Sequence, residues 1–210
     1  FGGGCGRGQV RRARGTAAAF ALVFCTHTAH AADSSCESSG GMDFVCGIKN
    51  AEDLVKLPGT RWIIASGMAN GAGLSLIDTR AAKWTELYPG DRPQARHDAA
   101  SFPDCPTPPA AGTLNTHGLN LRAGRRHSTL YVVGHGAREA IEVFDVDATG
   151  ERPSLTWRGC VPMPEGLAAN SVASFTDGSL VATVLIMPGK PFAASVAKRP
   201  TGAVYEWAPG

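Results

Sequence analysis

The sequence has no Cys-x-x-Cys pair, no Gly-x-Ser-x-Gly elbow and no glycine-rich phosphate loop. A zinc or redox site of the usual spacing, a hydrolase serine on a strand-to-helix turn and a P-loop nucleotide site are therefore unsupported. No window sustains a 3.6-residue apolar period, so helix content should be low. Charge of one sign is also scarce, with 20 basic against 18 acidic side chains and a formal net of +2. Four of the basic residues (Arg7, Arg11, Arg12, Arg14) fall in the first fourteen positions, and the remainder is slightly acidic. That balance points away from a nucleic-acid partner and from a polybasic membrane anchor.

What is present begins with 210 residues, 43% of them hydrophobic, enough for one cored domain or part of one. The 26 Gly and 14 Pro are spread along the chain, as in a fold of short elements joined by tight turns. The N-terminus (1–31) reads as an export signal. Arg11, Arg12 and Arg14 precede the apolar stretch Thr16–Cys25, and Ala29-His30-Ala31 supplies a small-x-small cleavage site before Ala32. That stretch is too short to span a bilayer as a helix. Bulky Phe24 before Cys25 argues against a lipoprotein, and the rival reading of the stretch is a buried N-terminal helix. Cleavage would remove Cys5 and Cys25 and leave Cys36, Cys46, Cys105 and Cys160, an even set for an oxidising, periplasmic or secreted setting. Three pairings of four cysteines are open, as are bonds to cysteines beyond residue 210. The chain starts at Phe1 and stops at Trp207-Ala208-Pro209-Gly210, which reads as a piece of a longer protein.

After a polar leader (32–45), short β-type runs alternate with turn signals. Strands are expected near Asp53–Leu57, Arg61–Ser66, Leu74–Asp78 and Lys83–Tyr88. A Pro-rich loop, Asp91–Gly112, follows. Strands resume near Gly118–Arg122, Thr129–Val133, Ala140–Val146 and Leu155–Val161, and a third set covers Val172–Phe175, Leu180–Leu185 and Ala203–Trp207. The sets repeat: Glu52, His117 and Asn170 each open one, at separations of 65 and 53 residues. Four-stranded units of this size are propeller blades. The expected fold class is thus all-β, a six-bladed β-propeller truncated to roughly its first three blades (near 46–112, 113–164 and 165–210), the third without its outer strand. A β-sandwich would explain the strands but not their threefold recurrence.

In a propeller the inner strands line the axis, so equivalent positions converge there. The start of each inner strand supplies Glu52 and Asp53, His117, and Asn170, and the end of the following strand brings His135 towards His117. Oxygen donors such as Glu52 and Asn170 suit a hard cation like calcium, which takes about six to eight oxygens. Each residue also has a plainer reading: Glu52-Asp53 as a turn cap, His117 as a satisfied interior histidine, Asn170 as a turn residue. Only the shared position in the repeat favours a site. His97 and His127 sit in polar loop contexts without partners.

The segments Asn50-Ala51-Glu52-Asp53-Leu54, Thr116-His117-Gly118-Leu119-Asn120-Leu121, Tyr131-Val132-Val133-Gly134-His135, Ile141-Glu142-Val143-Phe144 and Leu167-Ala168-Ala169-Asn170 together resemble the paraoxonase/arylesterase family. The resemblance runs from about Cys46 to Trp207 and extends to the gluconolactonase-like and strictosidine-synthase-like six-bladed propellers. It implies a calcium-dependent hydrolase of lactones or aryl esters, with a small-molecule ester substrate. Glu52 matches the catalytic-calcium carboxylate, Asn170 its first amide ligand, and Asp53 a ligand of a second, structural calcium. His117 and His135 match the family's histidine pair. Ser171 departs from the pattern, standing where animal members carry an aspartate for the second calcium. The resemblance also implies a disulfide from Cys36 or Cys46 to the chain's end. The rival function is a non-catalytic propeller that binds or scaffolds around a structural ion; a metal-free lyase or synthase of the strictosidine-synthase type fits Glu52 and Asn170 less well. The 210 residues alone are expected to show little or no hydrolysis of lactones or aryl esters, and measurable calcium-dependent turnover by them in a spectrophotometric ester assay would contradict that.

Overall fold

A computed structural model describes residues 36–124 and 127–209. The expected export signal, with Cys5 and Cys25, lies outside the described residues. The fold is all-β, with one short helix. Strands β1 (Ala51–Lys56), β2 (Trp62–Gly67), β3 (Leu74–Asp78) and β4 (Lys83–Tyr88) form a first antiparallel sheet in chain order. The second sheet has a two-residue strand, β5 (Gln94–Ala95), at one edge beside the last of four antiparallel strands, β6 (Leu114–Arg122), β7 (His127–Gly136), β8 (Ala140–Asp147) and β9 (Ser154–Pro162). The third sheet is β10 (Ala169–Ser174), β11 (Leu180–Val184) and β12 (Ala203–Trp207). None of the three closes on itself.

All eleven expected strands are present, several of them longer than the turn signals suggested. Two elements were not anticipated. β5 lies within the Pro-rich loop and pairs parallel with β9, Gln94 opposite Thr156. The helix α1 (Phe192–Val196) lies between β11 and β12, too short to show a period.

Alternation along the central strands explains the layering. In a strand, successive side chains face opposite ways. Leu130 and Val132 of β7 join a core with Ile64, Leu74 and Leu76 of the first sheet. Tyr131 and Val133, on the other face, join Val172, Leu180 and Ala182 of the third. The unbroken apolar run Leu130–Val133 therefore marks a strand buried on both faces. A two-sheet sandwich has no such middle layer.

Two disulfides pair Cys36 with Cys46 and Cys105 with Cys160. Cys36 and Cys46 thus bond to each other, not to the chain's end as the resemblance implied. The second bond ties the Pro-rich loop to β9 and closes a 55-residue separation. His97 corrects its sequence reading: its Nε2 meets the Phe102 carbonyl at 2.9 Å and its ring stacks on Trp157. It is a packing residue of that loop. His127 is exposed at the start of β7.

Among the described residues, one charged side chain is fully buried. Glu142 falls on the face of β8 shared with Ala140 and Phe144, where it is fully buried. Arg138 donates to both its oxygens, Nε to Oε1 at 2.7 Å and Nη2 to Oε2 at 2.8 Å, and Trp157 Nε1 donates to Oε2 at 2.7 Å. Arg138 Nη1 also donates to the Thr107 carbonyl, which fixes the Pro-rich loop. A buried carboxylate is tolerated only when its charge and lone pairs are satisfied in this way. Arg138→Ala should therefore cost about 3–5 kcal/mol in urea unfolding. Replacing both Arg138 and Glu142 by apolar residues should cost clearly less; a double variant at least as unstable as Arg138→Ala would contradict this account.

Candidate functional site

The first antiparallel strand of each sheet, β1, β6 and β10, is an edge strand, and the three lie side by side, β1 against β6 and β6 against β10. Each carries a register shift against its partner at the same place. In β1 the shift falls between Ala51 and Leu54, and in β6 between Thr116 and Leu119. In β10 it falls between Ala169 and Ser171. The residues set out of the ladder are Glu52 and Asp53, His117 and Gly118, and Asn170. These are the positions that the sequence repeat aligned. A bulge leaves its extra residue out of the ladder and re-aims its side chain.

A bulge also frees backbone N–H groups, which need partners when buried. Ser66 Oγ in β2 accepts the Asp53 N–H at 2.9 Å, and Thr183 Oγ1 in β11 accepts the Ser171 N–H at 3.0 Å. The position facing the β6 bulge is Val133, which has no hydroxyl to offer. Ser66 and Thr183 were not singled out from the sequence, because a serine or threonine in a strand gives no hint of its opposite number.

Adjacent edge strands are joined by side chains. Asp53 Oδ2 accepts the Leu119 N–H at 2.7 Å, while Oδ1 accepts the neighbouring Leu54 N–H at 2.7 Å. Asn120 Oδ1 accepts both the N–H and the hydroxyl of Ser174. Buried Thr116 takes the Gly67 N–H and donates to the Gly73 carbonyl. Gly118 meets β10 directly: a Cβ there would stand 2.7 Å from the Asn170 carbonyl oxygen and 2.7 Å from Ser171 Cα. Only glycine permits that approach.

The side chains at this edge form a row. Glu52 Oε1 lies 3.5 Å from His117 Nε2, and His117 Nδ1 faces His135 Nε2 at 3.3 Å. His135 Nδ1 in turn meets Glu139 Oε2 at 2.6 Å. The histidines are largely enclosed, 12% and 18% exposed, whereas the two carboxylates at the ends are 37% and 39% exposed. His135 reaches the row because β7 pairs with β6 through Asn115 opposite His135, two positions from the bulge. Glu139, in the turn between β7 and β8, was missed by sequence reasoning; its only signal is a spacing of four from His135.

Of the five residues expected at the site, Glu52, His117 and His135 share this row. Asn170 joins through its backbone against Gly118, and it lines a separate hollow of ≈ 410 Å³ with residues of β11 and β12. Asp53 is engaged as the tie to β6. No group of three or more His, Cys, Asp or Glu gathers as a metal site among the described residues. Comparison of the chain with protein-family models and with curated proteins finds no match.

Gly118→Ala should push β6 from β10 and cost about 1–3 kcal/mol, read as a lower urea midpoint. An unchanged midpoint would mean that the two backbones do not meet there.

Proposed function

We propose that the three sheets are successive blades of a six-bladed β-propeller of the paraoxonase/arylesterase type, and that the intact protein is a calcium-dependent hydrolase of lactones or aryl esters. The observation that carries this reading is the recurrence of one bulge, at one position, on the first antiparallel strand of each sheet. A site shared by the three strands needs equivalent positions to leave their ladders at one edge, and the coincident bulges provide that. Export to an oxidising compartment fits the two disulfides, and no described helix is long and apolar enough to cross a membrane.

Glu52 and Asn170 are hard oxygen donors of the kind calcium takes, but they are two where about six to eight are needed, and Asn170 lines a hollow apart from the row that holds Glu52. The other blades of a six-bladed ring would supply the rest. Asp53 fits a second calcium less well, because each of its oxygens already takes a backbone N–H. Calcium held by Glu52 and Asn170 would polarise the ester carbonyl and stabilise the developing oxyanion.

The chain's own residues handle the proton. His117 Nε2 takes a proton from the attacking water while the oxygen bonds to the ester carbon and the carbonyl π pair moves onto its oxygen. The resulting imidazolium keeps Nδ1–H on His135 and turns its new Nε2–H to Glu52, so a carboxylate already faces the charge. His135 holds the ring through this step. When the π pair returns, the bond to the alcohol or phenol oxygen breaks and the leaving oxygen takes the proton from Nε2.

The rival, a non-catalytic propeller around a structural ion, draws support from the structural engagement of Asp53. Calorimetry of calcium binding to the full-length protein separates the two. Glu52→Gln and Asn170→Ala should each weaken binding at least tenfold, and His117→Gln should abolish lactone and aryl-ester hydrolysis without changing it. Binding without turnover on any ester would leave the scaffold.

A further inference from the structure

We infer that Glu139 is a positioning residue that holds the proton of neutral His135 on Nδ1 and so leaves His135 Nε2 to accept from His117 Nδ1. A carboxylate at hydrogen-bond distance can only accept, so His135 Nδ1 must carry the hydrogen it donates to Glu139 Oε2. In a neutral ring the other nitrogen, Nε2, then bears a lone pair. The contact between Nε2 and His117 Nδ1 requires one donor, which places a hydrogen on His117 Nδ1. The hydrogen bonds from His117 through His135 to Glu139 thus run in one direction, set at Glu139.

The turn is built to hold Glu139 there. Arg138, the preceding residue, is drawn inwards by its two bonds to buried Glu142 and by the Thr107 carbonyl. Its neighbour Glu139 meets His135 instead. The backbone of Glu139 is fixed as well, since its carbonyl accepts the Met163 N–H at 2.9 Å just past β9. Backbone and side chain are therefore both anchored, although the carboxylate remains 39% exposed. A histidine partner of this kind usually alters activity about ten- to a hundredfold when it is removed.

The catalytic consequence rests on the hydrolase reading above; the tautomer does not. The test is a long-range proton–nitrogen correlation spectrum of the full-length protein labelled at histidine nitrogen, at a pH where both rings are neutral. Wild type should show His135 protonated at Nδ1, and Glu139→Ala should convert it to the Nε2–H form or a mixture. Glu139→Gln, nearly isosteric, serves where the alanine variant fails to fold and should give the same loss, because an amide can also donate. In hydrolysis, either variant should lower kcat about ten- to a hundredfold with KM little changed. A wild-type His135 protonated at Nε2, or a tautomer indifferent to both substitutions, overturns the inference. Absence of turnover in every form, with the tautomer shift intact, retires the hydrolase reading and leaves the assignment of Glu139 standing.

Discussion

The constraint on which the site depends is the meeting of three edge strands. β1, β6 and β10 each pair with a strand on one side only, and an unpaired edge leaves backbone N–H and C=O groups without partners. They lie against one another but do not form a ladder. Side chains stand in for the missing strand: Asp53 and Asn120 accept N–H groups of the next sheet, and Thr116 both accepts and donates. Each is worth only about 1 kcal/mol net, but leaving the groups unpaired would cost more. These ties hold the sheets in a register that brings their bulges together.

The bulges convert that register into a cluster. In an unbroken strand, residues 52, 117 and 170 would obey the pleat and alternate with their neighbours between two packed faces. Set out of the ladder, Glu52 and His117 meet by their side chains and Asn170 reaches the shared edge through its backbone, and hydroxyls of Ser66 and Thr183 satisfy the N–H groups that two of the bulges release. Gly118 allows β10 to approach closely enough for Asn170 to belong to the same edge as His117.

Stability and the candidate site are linked through the β7–β8 turn. Glu142 is buried by the alternation of β8, and burial obliges it to find Arg138 and Trp157. Arg138 then orders the turn and reaches into the Pro-rich loop, which Cys105–Cys160 also ties to β9. The carboxylate that meets His135 sits on this turn. A polar interaction in the core and a hydrogen bond of the histidine row thus share one short segment.

The sequence by itself determined the strands, their grouping into three sets and the equivalence of Glu52, His117 and Asn170. Alternation, turn residues and spacing are local properties, and a side-chain period of two survives in the sequence as written. It also brought His135 towards His117, because a hairpin partner is local too. Only the tertiary structure decided the cysteine pairing, the structural engagement of Asp53, the packing role of His97, the parallel pairing of β5 and the place of Glu139. Each of these depends on contacts between residues far apart in the chain or on which way a turn residue points, and neither leaves a period or a motif. The bulges fall between the two cases. Their residues were legible as a repeat, but the out-of-ladder geometry that gathers them required the sheets to be stacked.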